Sequence, residues 1–521
     1  MIEKYLNNRL FTLLIFPFFL GSITVFSFQP YNLTIINFIV LPLIFYLIIF
    51  ISKKSKNIYR KKPFRKNLFY CGTSFGYGFY LSGLHWITHS LTFDENFKVL
   101  VPFAIILIPL FLSFFFSITI LLVGPYLKMN LASIFLFSSS LAFSDWVRAT
   151  ILTGFPWNLW AYSFSWATEV IQVLHIVGLF AFNLIIITIF LTPALLLFNS
   201  KLSQKFISIS ILFIFLICLF IYGNFTINKN KDIVESATQK FNVKVISPNF
   251  ELRYGINLKE IQLRLNKLIR YSDPVKNTKT LFIWPEGVFS GYNYSELLPL
   301  KEIFMNNFDQ NHFILFGVNR LNKKNKGIYN SLIVVNSKME IIQEYKKQKL
   351  VPFGEFLPFE KHLNKIGIKK ITEGYGSFLK GTKQNNLIIE ELNFLPLICY
   401  EIIFTKFIQE STKNTNLIIN ISEDGWFGDS IGPRQHFSKA IFRAVENDTF
   451  LLRSTNKGTS AIINNKGQIL KKLNSTETGH IEFKVPLLKS ENKIKNDLIF
   501  FLLLITYIFI FNFYKNNYAK K

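Results

Sequence analysis

Apolar positions along this chain follow two regimes. Before residue 230, and again near residue 500, they gather into blocks long enough to cross a bilayer; in between, short β-branched runs alternate with amphipathic stretches. Seven blocks come first: Phe11–Phe28, Leu33–Ile51, Leu68–Ile87, Val99–Val123, Leu131–Val147, Val170–Phe198 and Phe206–Tyr222. Leu498–Phe513 is an eighth. Each lies near the ~20 residues a helix needs to span the hydrocarbon, which predicts a polytopic α-helical membrane domain of about eight transmembrane helices. In the middle region Val243–Ser247, Thr280–Trp284, Phe313–Phe316, Ser331–Val335, Phe394–Cys399, Leu417–Ile421 and Thr449–Arg453 read as strands. Leu258–Tyr271, Ile403–Glu410 and Ser438–Glu446 read as helices. That mixture predicts a layered α/β domain around a largely buried sheet. The expected organisation is residues 1–227 for seven helices, 228–495 for the α/β domain, and 496–521 for the eighth helix and a tail.

Charge orients these elements. The loop after the second block carries Lys53, Lys54, Lys56, Arg60, Lys61, Lys62, Arg65 and Lys66, and Lys128, Lys201, Lys205, Lys515, Lys520 and Lys521 fall on the same side. The opposite loops carry Asp94 and Glu95 or almost no charge. Positive-inside logic puts both termini in the cytoplasm and the α/β domain on the outer face. The net charge of +26 invites a nucleic-acid partner. Its placement in short loops between apolar blocks argues for topology and lipid headgroups instead, so no nucleic acid is expected. No small-residue cleavage site follows the first block, which reads as a retained span.

Three cysteines occur. They give no disulfide framework and no zinc spacing, and no GxGxxG or P-loop pattern appears, so neither a metal nor a nucleotide cofactor is indicated. Cys71 and Cys218 lie inside apolar blocks; Cys399 alone ends a predicted strand, in Leu-Pro-Leu-Ile-Cys-Tyr-Glu. A lone cysteine is most often inert packing. Its company changes that reading. Glu286 follows a strand in Trp284-Pro285-Glu286. Lys347 and Glu355 flank a Pro/Gly turn in YKKQKLVPFGEFLP. Tyr400 and Glu401 follow the cysteine, and Asp424, Trp426, Arg434 and His436 come later. An acid, a cation and a thiol on strand ends of one domain are the components of a covalent acyl-transfer site.

The order Glu286, Lys347, Cys399 resembles the Glu-Lys-Cys triad of the nitrilase (carbon–nitrogen hydrolase) superfamily. The segments GYGFYLSGLHW, TGFPWNLWAY, WPEG, YKKQKLVPFGEFLP, CYE, DGWFGDSIGPRQH and LRSTNKGTS resemble, within it, the apolipoprotein N-acyltransferase family along nearly the whole chain. The resemblance implies an extracytoplasmic nitrilase-like α-β-β-α sandwich on the periplasmic face of a bacterial inner membrane. It implies Cys399 as nucleophile, Glu286 as general base and Lys347 as oxyanion donor, with Glu355 orienting the lysine and Tyr400 and Glu401 shaping the pocket. It implies a phospholipid acyl donor and a diacylglyceryl-modified apolipoprotein acceptor. Tyr254, Trp86, Trp157, Trp160, Trp426, Tyr375 and Phe378 are candidate substrate or lipid contacts, and Phe359–Lys383 is a candidate lid. The family usually has asparagine where Glu423 stands here, which adds a carboxylate near the site. Two rivals remain: a membrane-anchored amidase that passes the acyl group to water, and a non-catalytic transporter or receptor with an outer binding domain.

Overall fold

The computed structural model describes residues 6, 8–58, 64–198, 202–253, 255–322, 327–358, 360, 377–382, 386–410, 415–488 and 496–519. Tyr254, Tyr375 and most of the candidate lid lie outside them. The chain forms two compact units: Met1–Thr88 with Leu100–Thr226 and Lys493–Lys521, and His89–Val99 with Ile227–Asn492.

In the first unit all eight apolar blocks are helical. Among the described residues five helices are long and apolar enough to span a membrane: Thr34–Lys53, Val101–Tyr126, Leu179–Leu197, Lys205–Ser236 and Asp497–Tyr514; Phe11–Ser27 is a shorter apolar one. The helices Phe64–Leu84 and Leu131–Thr150 cover the other two blocks and carry more polar residues. The Val170–Phe198 block is not one helix. Gly178, at φ +78°, breaks it, and the long helical part begins at Leu179. Small residues let these helices touch. A Cβ on Gly72 would stand 2.7 Å from Ser117 Cα, and one on Gly76 would stand 2.9 Å from Ser113 Cα. Neither helix backbone could approach so closely with larger side chains. Conversely Phe206, Ile211, Phe213, Ile214, Phe220 and Phe225 of the last long helix before the α/β unit are exposed. Water would make that surface costly; lipid does not.

Among the described residues the second unit has twelve strands: β1 (Lys240–Ser247), β2 (Thr280–Ile283), β3 (His312–Leu321), β4 (Ile328–Val335), β5 (Ile341–Lys346), β6 (Leu387–Ile389), β7 (Leu392–Ile398), β8 (Leu417–Glu423), β9 (Phe450–Asn456), β10 (Ser460–Ile463), β11 (Ile469–Leu473) and β12 (Gly479–Pro486). They build two six-stranded sheets, in the orders β12-β1-β2-β3-β4-β5 and β11-β10-β9-β8-β7-β6. The central strands β1–β3 and β7–β9 run parallel within their sheets. The period-2 alternation of a strand sorts their side chains. Val243, Val245, Leu281, Ile283, Leu315 and Leu332 meet Phe394, Ile398, Leu417, Ile419, Leu452 and Ile462 between the sheets. Phe282, Trp284, Ile314, Phe316 and Ile333 turn the other way, onto Ile261, Leu265 and Leu268 of the helix Leu258–Ser272. That helix starts at Asn257, whose side chain accepts from Glu260 N–H at 2.9 Å, a cap worth about 1 kcal/mol. On the second sheet the helix Gly432–Asn447 is buried along nearly all its length. The layers are therefore helix, sheet, sheet, helix. Because both faces of each sheet are covered, the central strands are mostly apolar, with the buried Lys244, Asn420 and Arg453 as polar exceptions, and the candidate residues stand at strand ends.

Candidate active site

The carboxyl ends of the parallel strands carry the candidate residues. β7 ends at Ile398, and Cys399 follows at φ +50°. That backbone conformation is rare for a side chain bearing a Cβ and is held here by the strand before it and the turn after it. Glu286 comes two residues beyond Trp284, after β2, in a turn completed by Gly287 at φ +76°. Lys347 directly follows β5, and its N–H donates to Asn330 O at 2.9 Å. Glu355 sits in the Val351–Phe356 turn, its N–H donating to Val351 O at 2.8 Å.

Three of these side chains and one more converge. Lys347 Nζ lies 2.8 Å from Glu355 Oε1 and 3.6 Å from Glu286 Oε1. Asn330 Nδ2 donates to Glu286 Oε1 at 2.8 Å and to Glu355 Oε1 at 2.9 Å. Glu286 Oε2 accepts from Glu423 N–H at 3.1 Å, and Glu355 Oε2 from Val351 N–H at 2.9 Å. Burial works against the Lys347 ammonium, but Glu286 and Glu355 outweigh it and hold the lysine charged, above its ordinary range. Cys399 is 7% exposed. Burial pushes its thiol up, Glu286 and Asp424 push it further, and Lys347 pulls it down without prevailing. At rest the sulfur is therefore a neutral thiol, and its proton must leave before sulfur can attack.

Glu401 lies behind this group as a clamp. Its Oε1 accepts from Tyr345 O–H at 2.8 Å, Gln348 N–H at 2.7 Å and Lys349 N–H at 3.0 Å, and its Oε2 accepts from Ile398 N–H at 2.9 Å. One carboxyl thus ties the strand that delivers Lys347 to the strand that delivers Cys399. Tyr400 packs edge-on to Phe404 at 5.0 Å and against the inter-sheet core. Asp424 faces a second buried network. It accepts from Ser422 Oγ at 2.7 Å, from Arg453 Nη2 at 2.9 Å, and pairs with His436 Nδ1 at 3.0 Å. Burial and Arg453 hold His436 below its usual range, so this histidine braces β8 and β9 against the helix Gly432–Asn447. Among the described residues, no group of three His, Cys, Asp or Glu side chains is placed to hold a metal.

The apolipoprotein N-acyltransferase N-terminal domain model matches residues 20–192, and the carbon-nitrogen hydrolase model matches residues 254–490. A Rickettsia prowazekii apolipoprotein N-acyltransferase is 32% identical over 84% of this chain and 87% of its own. This chain belongs to the apolipoprotein N-acyltransferase family. A Brucella melitensis apolipoprotein N-acyltransferase is 29% identical over 90% of this chain and 89% of its own. Among solved structures, a Saccharomyces cerevisiae member of branch 10 of the nitrilase superfamily covers 48% of this chain and 91% of its own, at 18% identity and a TM-score of 0.36.

As an apolipoprotein N-acyltransferase family member of the nitrilase superfamily, the chain is an acyltransferase that modifies lipoproteins. The amidase and transporter rivals give way to that assignment. The candidate contacts divide. Trp426 meets Phe93 at 5.2 Å within the α/β unit, and Phe378 N–H donates to Glu355 O at 2.8 Å, beside the cluster. Trp86, Trp157 and Trp160 are 5%, 1% and 1% exposed, with Trp86 against Trp157 and Trp160 against Phe79. As packed, these three rings form the interior of the helical unit. The sequence reading missed Asn330, which joins both carboxylates. No local pattern marks it: it is the third residue of β4, and the pairing of β4 with β5 brings it to the site.

Proposed function

We propose that this acyltransferase works through a thioester on Cys399, with Glu286 as proton carrier and Lys347 as oxyanion donor. The observation that supports the reading is the Lys347 ammonium 3.6 Å from Glu286, on a strand end that Glu401 ties to the one bearing Cys399. In the first half-reaction sulfur attacks the ester carbonyl of a phospholipid. The S–H proton passes to Glu286, and Lys347 Nζ donates to the developing oxyanion. One such donor is worth roughly 2.7–4 kcal/mol of barrier in other enzymes. The carbon–oxygen bond then breaks, Glu286 returns the proton to the departing lysophospholipid alkoxide, and the acyl group stays on sulfur. In the second half-reaction the α-amine of a diacylglyceryl-cysteine attacks the thioester. Glu286 takes the amine proton, and the sulfur leaves as thiolate and is reprotonated. Glu355 and Asn330 fix where Lys347 and Glu286 stand, and Glu401 fixes the two strands that carry Lys347 and Cys399.

The basic loops support a bacterial inner-membrane protein with cytoplasmic termini and the α/β unit in the periplasm. Residues 1–227, 228–495 and 496–521 serve as helical, catalytic and anchoring segments in this reading. The test is discharge. Enzyme pre-acylated on phospholipid and freed of donor should transfer its acyl chain to a diacylated lipopeptide in one turnover, giving ping-pong kinetics. Loss of the acyl group to water at the same rate with and without lipopeptide would contradict the proposal.

A further inference from the structure

The mechanism leaves one buried carboxyl beside the site without a task. Glu423 closes β8 and is 2% exposed. Its backbone N–H donates to Glu286 Oε2 at 3.1 Å. Its carboxyl lies against the backbone that follows Glu286, since a Cβ on Gly287 would stand 2.8 Å from Glu423 Oε2. Two donors hold it in place: Gly425 N–H at 3.0 Å on Oε1 and Asn456 Nδ2 at 2.8 Å on Oε2. Asn456 is itself pinned, accepting from Phe250 N–H at 2.6 Å and donating to Phe250 O at 3.0 Å.

The charges around Glu423 are mostly negative. Glu286 faces it from the turn after β2, and Asp424 adjoins it on its own strand end. The Lys457 stem packs where a Gly425 Cβ would be, but its ammonium goes to Glu251 at 3.4 Å. Arg453 and His436 answer Asp424. Among the described residues no ion pair reaches the Glu423 carboxyl. Like charges in one buried site oppose a second ionisation. Burial, with Glu286 and Asp424 adding repulsion, pushes Glu423 up to about 8 despite its two donors.

We propose that Glu423 is a positioning residue for the proton transfer: neutral while Glu286 holds the negative charge, and on ionising it raises the affinity of Glu286 for the thiol proton. In that transfer the Cys399 S–H bond breaks and a Glu286 O–H bond forms. The negative charge moves from the Glu286 carboxylate to sulfur, off the carboxyl that Glu423 adjoins. An anionic Glu423 favours this displacement because like charges repel. The inference rests on the Cys399–Glu286 reading above.

Its test is iodoacetamide alkylation of Cys399 in the full chain in detergent micelles, read by peptide mass spectrometry from about pH 5 to about pH 9.5. The alkylation rate follows the thiolate fraction. Because the thiol is held above its ordinary range, the wild-type rate should climb with pH throughout, the first step, and gain a further rise of roughly tenfold, the equivalent of one pKa unit, as Glu423 ionises, the second step. Glu423→Gln should lack the second step, and Glu423→Asp should keep it. A wild-type profile with one step, or equal profiles for wild type and Glu423→Gln, overturns the inference. Glu286→Gln separates the two readings. If its profile also matches wild type, the base assignment to Glu286 fails; if it alone departs, only the role of Glu423 fails. Should Glu423→Gln not fold, the wild-type profile and Glu423→Asp decide the matter, because a missing second step in either overturns the inference.

Discussion

Asn330 holds two carboxylates with one amide. Its Nδ2 reaches both Glu286 and Glu355, and its backbone carbonyl accepts from the Lys347 backbone N–H. Hydrogen bonds to charged groups are worth about 1.5–3 kcal/mol each. Asn330→Ala should therefore slow acyl-enzyme formation about 10–100-fold, because Glu286 and Glu355 lose the amide that holds both, while the Lys347–Glu355 pair and the backbone bond from Lys347 remain. Single-turnover acylation followed by rapid-quench mass spectrometry reads this directly. A rate close to wild type would show that Lys347 and Glu355 position themselves unaided. Cys399 illustrates a different residue-scale constraint. Its left-handed backbone aims the side chain off the strand end, and Glu401 meets the cost of that turn by binding the N–H of Ile398.

At the scale of elements, the seven strands read from sequence are all present, and the three that deliver Glu286, Cys399 and Glu423 are among them. They were legible because central parallel strands are apolar on both faces. β5, β6, β10, β11 and β12 were not. β5 reads Ile341 to Lys346 with Gln343, Glu344 and Lys346 in it, and β11 carries Lys471 and Lys472. β5, β6, β11 and β12 are the edge strands and partly solvated, so they lose the unbroken apolar signature, whereas β10 is buried throughout but only four residues long. β5 mattered most, since it delivers Lys347. Glu286, Lys347 and Cys399 stood out as candidates by their order and motifs, whereas Asn330 did not. What singles out Asn330 is the pairing of β4 with β5, a long-range register that no local pattern carries. The Val170–Phe198 block looked continuous because Gly178 is one residue in an apolar run, yet its positive φ ends one helix and starts the next. The helix before β1 is longer than its apolar part, running Leu202–Ser236, because the polar turns after Tyr222 extend it beyond the hydrophobic block.

At the scale of the whole molecule, hydrophobicity and charge divide the labour. Exposed phenylalanines and isoleucines mark the helical unit as a lipid-facing body. The basic residues between Lys53 and Lys66, set against Asp94 and Glu95, give the orientation argument its sign. Single cysteines introduced in a Cys71→Ser, Cys218→Ser, Cys399→Ser background should react with a membrane-impermeant maleimide in intact cells at position 471, and should resist it at position 54 until the cells are lysed. The reverse pattern would invert the topology and place the chemistry in the cytoplasm.

The account stands or falls on a covalent acyl group at one sulfur. The measurement is intact-mass spectrometry of the purified full chain after incubation with phospholipid, beside Cys399→Ala. The wild-type protein should gain the mass of one acyl chain, lose it to hydroxylamine, and carry it on the peptide containing Cys399; the variant should gain nothing. An adduct of the same size on Cys399→Ala, or none on a wild-type protein that still acylates lipopeptide, would contradict the thioester mechanism.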